Sequence, residues 1–388
     1  MPVSPSTFED SEHRHPPLSP SDERIIIMTT INGLVVEFRP LTIPARIEDA
    51  DAVDFIEMTR VRNAVYAEIG GNDDDALTPT ELLPHYQPDP DETRLSWAVI
   101  ADGAFVGRIG VDIPHEEGSR SAYWLIELLR SHHGRGIGTA AYELVEQAAR
   151  EHGRTVLQSW AQHAEADGPR LSAPTGFGTI PRDHAARFYL AQGYVLEQIE
   201  RRSDLDLVTS ASTVDRLLAE AERAAAGYRV VQWSPPTPAD RVAGFAWMKS
   251  RMSTDAPAAG MEFDEQIWDA ERVARHDRRW TDAGMTVLVT AAQHIASGDL
   301  VAFNELTIGA DGTRPTNQED TLVLKEHRGH RLGQLVKCAA LKSWRGIAPL
   351  SPKVITYNAE ENRPMLDINE AIGFRPVAYE GAWKKVLS

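Results

Sequence analysis

Cysteine is nearly missing: Cys338 is the single one among 388 residues. That excludes an intrachain disulfide framework and a thiolate zinc site, and its place in an apolar helical pattern reads as a buried thiol. Positive charge is also short, with 40 Lys and Arg against 57 Asp and Glu, a formal charge of −17 at pH 7. The deficit argues against partners such as nucleic acid and favours solubility and cationic ligands. No apolar run approaches the roughly 20 residues of a membrane helix, and the N-terminus has no apolar signal core. A reducing cytoplasmic setting, without membrane contact, is the expectation. Residues 1–30, rich in Pro, Ser, Glu and His, have little to bury and read as a disordered tail, with Met28 an alternative start and His13 and His15 solvated rather than metal-binding.

What is present is a repeat. Two strand-like runs empty into glycine-and-arginine turns that open helices, His133-Gly134-Arg135-Gly136-Ile137-Gly138 before Thr139, and Arg328-Gly329-His330-Arg331-Leu332-Gly333 before Gln334, 195 residues apart. Hairpin signals Asp102-Gly103 and Ser297-Gly298 each end 35 residues before the last glycine of their turn, and a first strand lies 102 or 103 residues upstream, at Val36 and Val230. A fixed internal spacing marks a duplicated unit. The helices Thr139 to Glu151 and Gln334 to Trp344 carry apolar residues at helical spacing and are expected to stop at Gly153 and Gly346. Short helices then end at Gly193-Tyr194 and Gly373-Phe374, and the surplus of about 15 residues in the first half fits a surface loop at Asp167 to Arg182. The expected organisation is a domain over 31–209, a linking helix over 210–226 and a second domain over 227–388. The acidic stretches Asn72 to Asp75 and Glu262 to Glu265 read as solvated loop faces.

A glycine turn at a helix N-terminus presents backbone N–H groups and the positive end of the dipole to a phosphate. A P-loop is excluded because neither turn continues with Gly-Lys-Ser/Thr, and a Rossmann site because the following strands, Thr155 to Trp160 and Lys353 to Tyr357, end without the ribose-binding carboxylate. The remaining pattern, (Gln/Arg)-x-x-Gly-x-(Gly/Ala) followed by a helix ending in Gly-Phe or Gly-Tyr, resembles the GNAT family of acyl-coenzyme A-dependent N-acyltransferases. The likeness is greatest to the tandem actinobacterial members related to mycothiol synthase. It implies an α/β fold of two tandem domains, each a splayed mixed β-sheet flanked by helices. His133 departs from the pattern in the first half, and Arg331 replaces the middle glycine in the second.

By the same resemblance, acetyl-coenzyme A would bind both turns. Its pantetheine arm would lie along the preceding strand, with backbone N–H groups near Leu128, Leu129, Val323 and Leu324 facing the thioester. Tyr189, four residues before Gly193, takes the place of the family's proton donor, where the second half has Asn369. Glu127, Glu305 and Asp320 are the candidate bases for the ammonium proton. Intact glycines and Tyr189 favour the first half as the reacting one; analogy with mycothiol synthase and Arg328 favour the second, and either half can be a structural copy. The expected activity is N-acetylation of a small-molecule amine such as an amino sugar, an antibiotic or a polyamine, by a monomer or homodimer. The alternatives are a non-catalytic acyl-coenzyme A sensor and a protein or peptide N-acetyltransferase. The acceptor pocket is expected from Asp49 to Tyr66 and Ala239 to Met252.

Overall fold

The structure is a computed structural model that describes residues 26–388. The tail expected over 1–30 otherwise lies outside the described residues, but order begins earlier than composition suggests, because Ile27–Ile31 forms strand β1. The first half continues with β2 (Leu34–Pro40), α1 (Val53–Gly70), α2 (Pro79–Leu82), β3 (Glu92–Ala101), β4 (Ala104–Pro114), β5 (Ser121–Leu128), α3 (Ile137–Glu151) and β6 (Val156–His163). A short ribbon, β7 (Arg170–Leu171) with β8 (Ile180–Pro181), lies in the expected loop and leads to α4 (His184–Ala191) and β9 (Val195–Asp206). After α5 (Ala211–Ala224) the second half repeats the plan. It runs through β10 (Tyr228–Trp233), α6 (Val242–Asp255), α7 (Ala270–Asp282), β11 (Thr286–His294), β12 (Leu300–Ile308), β13 (Thr316–Val323), α8 (Leu332–Ile347), β14 (Lys353–Ala359), α9 (Arg363–Ile372) and β15 (Arg375–Val386). Among the described residues no helix is long and apolar enough to cross a membrane.

Local chemistry explains most of these boundaries. Asp102 and Gly103, at φ of 48° and 81°, make the two-residue turn that joins β3 to β4. In α3 the buried residues Ile137, Ala141, Leu144, Val145 and Ala148 recur at helical spacing on the face turned to the sheet. The helix after the second turn does not stop at Gly346; α8 runs on to Ile347, and Pro349 lies just beyond its cap residue Ala348.

All strands but the ribbon form one sheet in the order β1-β2-β3-β4-β5-β6-β15-β9-β14-β13-β12-β11-β10. Its centre shows what the repeat alone does not: the halves exchange their last strands. The β15 strand pairs antiparallel with β6 of the first half, and β9 pairs antiparallel with β14 of the second. The cores are exchanged likewise. Trp383 and Leu387 pack in the first-half core, Leu205 and Leu207 in the second-half core.

Each half also contains one parallel pair that separates. Strands β5 and β6 are in register only from Ser121 to Tyr123, and β13 and β14 only at Thr316 and Asn317. Beyond these residues the strands splay and open a wedge in front of the glycine turn.

Candidate active site

The second-half wedge opens onto a cavity of ≈ 920 Å³. Its wall runs from the turn (Arg328, Gly329, Arg331) along β13 to β14 and α9. Gly329 and Arg331 lie in the left-handed region, at φ of 89° and 56°. A non-glycine residue there costs about 1 kcal/mol. The Arg331 side chain swings away to Glu220 of α5, at 3.3 Å, so it leaves the turn's backbone uncrowded. Arg328 donates from Nε to the Val323 carbonyl at 3.2 Å and thereby ties the turn to β13. Leu332 is buried as the first residue of α8, Gln334 donates to the Leu217 carbonyl, and the His330 ring lies 5.4 Å from that of Tyr228. The opening N–H groups of α8 have no partner within the helix, so the turn supplies what a diphosphate requires. The residues present fit acetyl-coenzyme A in this half.

Between Asn304 and Leu306 the β12–β13 ladder slips, so that two β13 residues, Glu319 and Asp320, stand opposite the single Glu305. Such a bulge re-aims side chains where a strand borders a site; the first half has no counterpart, since β4 and β5 pair without a break. Glu305, buried at 2 % exposure, and Asp320, on the cavity wall, both bind Lys249 of α6, at 3.0 and 2.6 Å. Burial works against the Lys249 charge, but the two carboxylates outweigh it and raise its pKa. Desolvation on the cavity wall opposes the Asp320 charge, but the Lys249 ammonium outweighs it and lowers the Asp320 pKa. Glu319 differs. Its side chain is exposed to the open cavity, and desolvation by the cavity walls lifts its pKa to about 7, the Thr307 hydroxyl opposing and Asp320 and Glu305 reinforcing the rise. Thr307 donates to Glu319 Oε1 at 2.8 Å.

The first-half turn has the same backbone, with Gly134 and Gly136 at φ of 70° and 91°, and His133 bonds the Leu128 carbonyl at 2.9 Å where Arg328 bonds Val323. Its surroundings are filled. Asn32, in the β1–β2 turn, donates to the Arg135 carbonyl, and the Ile31 side chain sits over Gly136 so closely that a Cβ there would lie 2.9 Å away. His133 stacks on His184 at 4.5 Å. Phe188 lies against Gly138, while Ile137 is buried and Thr139 is exposed. The Leu129 and Leu324 N–H groups are bound in their ladders, to Val106 and Val301. Tyr189 is buried with its hydroxyl 2.7 Å from Ser159 Oγ, which in turn donates to the Trp124 carbonyl across the splay. Glu127 is paired twice with Arg108, at 2.7 and 2.8 Å.

Both acidic stretches are docked rather than solvated. Asp75 and Asp74 pair with Arg202 of β9, and Asp74 also pairs with Lys353 of β14. The Glu262 main chain is clasped by the Gln158 side chain, 2.7 Å to its N–H and 2.6 Å to its carbonyl, and Asp264 accepts from Ser119. A loop of the second half thus lies across the first-half wedge.

Sequence reasoning passed over Glu319, Lys249 and the cavity residues Trp160, Glu200 and Glu380. The last three come from β6, β9 and β15, so the exchanged strands and β6 of the first half complete the second-half cavity.

A splayed mixed sheet with a glycine turn opening a helix at the wedge, built twice in one chain, defines a GNAT-type acyltransferase fold. Residues 63–168 match the model of the acetyltransferase (GNAT) family, and the second half of the chain repeats the same fold. Similar solved structures include a tandem GNAT protein from the clavulanic acid biosynthesis pathway, solved without acetyl-coenzyme A (24% identity, 90% of this chain and 98% of that one, TM-score 0.68). A GCN5-related N-acetyltransferase from Sphaerobacter thermophilus shares 15% identity over 92% of this chain and 97% of that one, TM-score 0.57. The GCN5-related glucosamine N-acetyltransferase region of a fungal multi-domain β-N-acetylglucosaminidase shares 13% over 91% of this chain and 38% of that one, TM-score 0.53. At these identities the likeness is one of fold. No curated protein matches the chain in sequence.

Proposed function

We propose that the protein is an acetyl-coenzyme A-dependent N-acetyltransferase for the primary amine of a small molecule, and that the second half carries the reaction. The observation that supports this most is the single cavity joining the α8 turn to the bulged carboxylates of β13. Acetyl-coenzyme A, when bound, supplies the acetyl group as a thioester. Arg328, Gly329 and the first N–H groups of α8 hold its diphosphate, with Val323 beside its arm. Glu319 accepts the proton that the acceptor's ammonium must lose, a task suited to a carboxylate whose pKa lies near 7. Asp320 remains charged beside Lys249 and draws the cationic acceptor inward. Glu305, behind it, fixes Lys249. In this reading the first half is the structural copy, with Tyr189 and Glu127 committed to packing and to Arg108. A cytoplasmic monomer, with two halves in one sheet, is consistent with it.

The test is release of free thiol from acetyl-coenzyme A on addition of an amine. Release that depends on Glu319 and Arg328 is the expected result. Silence across a broad amine panel, with no heat of cofactor binding, overturns the proposal. Cofactor binding without turnover moves the protein to the acyl-coenzyme A sensor class, and turnover with peptides alone to the protein-modifying class.

A further inference from the structure

The part of the cavity away from the turn is built by the exchanged strands. Glu200 of β9 and Glu380 of β15 face each other directly in the ladder, and both line the cavity together with Trp160 and Tyr357. Like charges directly opposite on paired strands repel, yet among the described residues no cation is bonded to either. Glu200 accepts a hydrogen bond from Trp160 Nε1 at 2.8 Å, and the Glu380 carboxylate has no hydrogen bond or ion pair to any described residue. The guanidinium whose charge bears on Glu380, that of Arg202, is spent on Asp75 and Asp74. An unpartnered carboxylate aimed into a cavity, beside a second carboxylate and two aromatic rings, is suited to an ammonium group, which carboxylates neutralise and indole and phenol faces attract.

The carboxylates at the bulge, Glu319 and Asp320, lie on β13, which is two strands from β9 and three from β15. At about 4.8 Å for each paired strand, and more where β13 and β14 splay beyond Asn317, the two acidic ends are at least on the order of 10 Å apart. We infer that the acceptor is an elongated diamine, one amine presented to Glu319 for acetylation and the other held as an ammonium between Glu200, Glu380 and Trp160. This rests on the proposed acetyl transfer. It also has a thermodynamic signature. Burial first, then Glu200 and Asp75, raise the Glu380 pKa to about 8 against the opposing pull of Arg202, so an arriving ammonium ionises Glu380 and releases a proton at pH 7.

The experiment compares 1,6-diaminohexane with hexylamine on the full-length protein. Thiol release from acetyl-coenzyme A is expected to favour the diamine by at least tenfold in kcat/KM, and the preference collapses in Glu380→Gln combined with Glu200→Gln. Calorimetric titration of 1,6-diaminohexane in buffers of different ionisation heat is expected to show proton release at pH 7 that Glu380→Gln abolishes. Equal use of diamine and monoamine, with no proton release, overturns the inference and leaves acetyl transfer standing. Proton-linked diamine binding without thiol release supports the inference and sinks acetyl transfer.

Discussion

Trp383 of β15 lies face to face with Tyr189 of α4, their ring centroids 4.9 Å apart and their planes within 5° of parallel. One residue belongs to the last strand of the second half, the other to the first, so the stack joins the halves through the core rather than across a surface. Trp383 is wholly buried. Trp383→Ala should therefore destabilise the protein by about 3–5 kcal/mol, read as a lower urea midpoint by circular dichroism. A loss below about 1 kcal/mol would mean that β15 is not what closes the first-half core.

Tyr189→Phe separates packing from chemistry. The ring stack survives and the hydroxyl bond to Ser159 is lost, which should cost about 1 kcal/mol of stability. With the reaction in the second half, kcat should change little. A fall of about a hundredfold or more in a folded variant, equivalent to about 2.7 kcal/mol of barrier, would place the reaction in the first half, with Tyr189 as its proton donor.

Glu319 sets the pH profile. Its working form is the carboxylate, so kcat/KM should rise as pH climbs through about 7 and level off above it. Thr307→Val removes the hydroxyl that opposes the rise in pKa, and the midpoint should move to higher pH. Glu319→Gln should lower kcat by about 10²–10⁴-fold. A profile unmoved by Thr307→Val would exclude Glu319 as the titrating base.

The turns were legible in the sequence because backbone conformation leaves a mark on residue type: left-handed φ calls for glycine, as at Gly134, Gly136 and Gly329, and Arg331 is the exception that accepts the strain. The strand exchange left no such mark. The final strands β9 and β15 carry no regular alternation of buried and exposed residues, so their local pattern does not single out β6 or β14 as the partner of either. Glu200 and Glu380 consequently resemble ordinary strand carboxylates until the ladder sets them opposite each other. The acidic loops looked solvated because their partners are distant in sequence; Asp75 finds Arg202 127 residues away. Glu319 was hidden by the bulge, which breaks the period of two that singles out Asp320 alone.

Lys337 of α8 offers a test of the second-half core that does not depend on turnover. It is fully buried, and its Nζ donates to Asn369 Oδ1 at 2.8 Å, while Asn369 Nδ2 donates to Asn358 Oδ1 on the cavity wall. Burial lowers the Lys337 pKa from 10.5 to about 7. The unfolded chain then keeps this proton up to pH about 10.5, whereas the folded protein gives it up above about 7. Between those values the unfolded state binds more protons, so the lysine's contribution to stability improves as pH rises and is at its worst below 7. The span corresponds to several kcal/mol, on the order of 1.4 kcal/mol for each pH unit. Lys337→Met removes the buried charge at similar length. It should raise stability at pH 7 by about 1–3 kcal/mol, net of leaving Asn369 Oδ1 without its donor. It should also remove part of the wild-type gain in urea midpoint between pH 7 and 9.5. An identical pH dependence in the two proteins would show that Lys337 keeps its proton in the folded state.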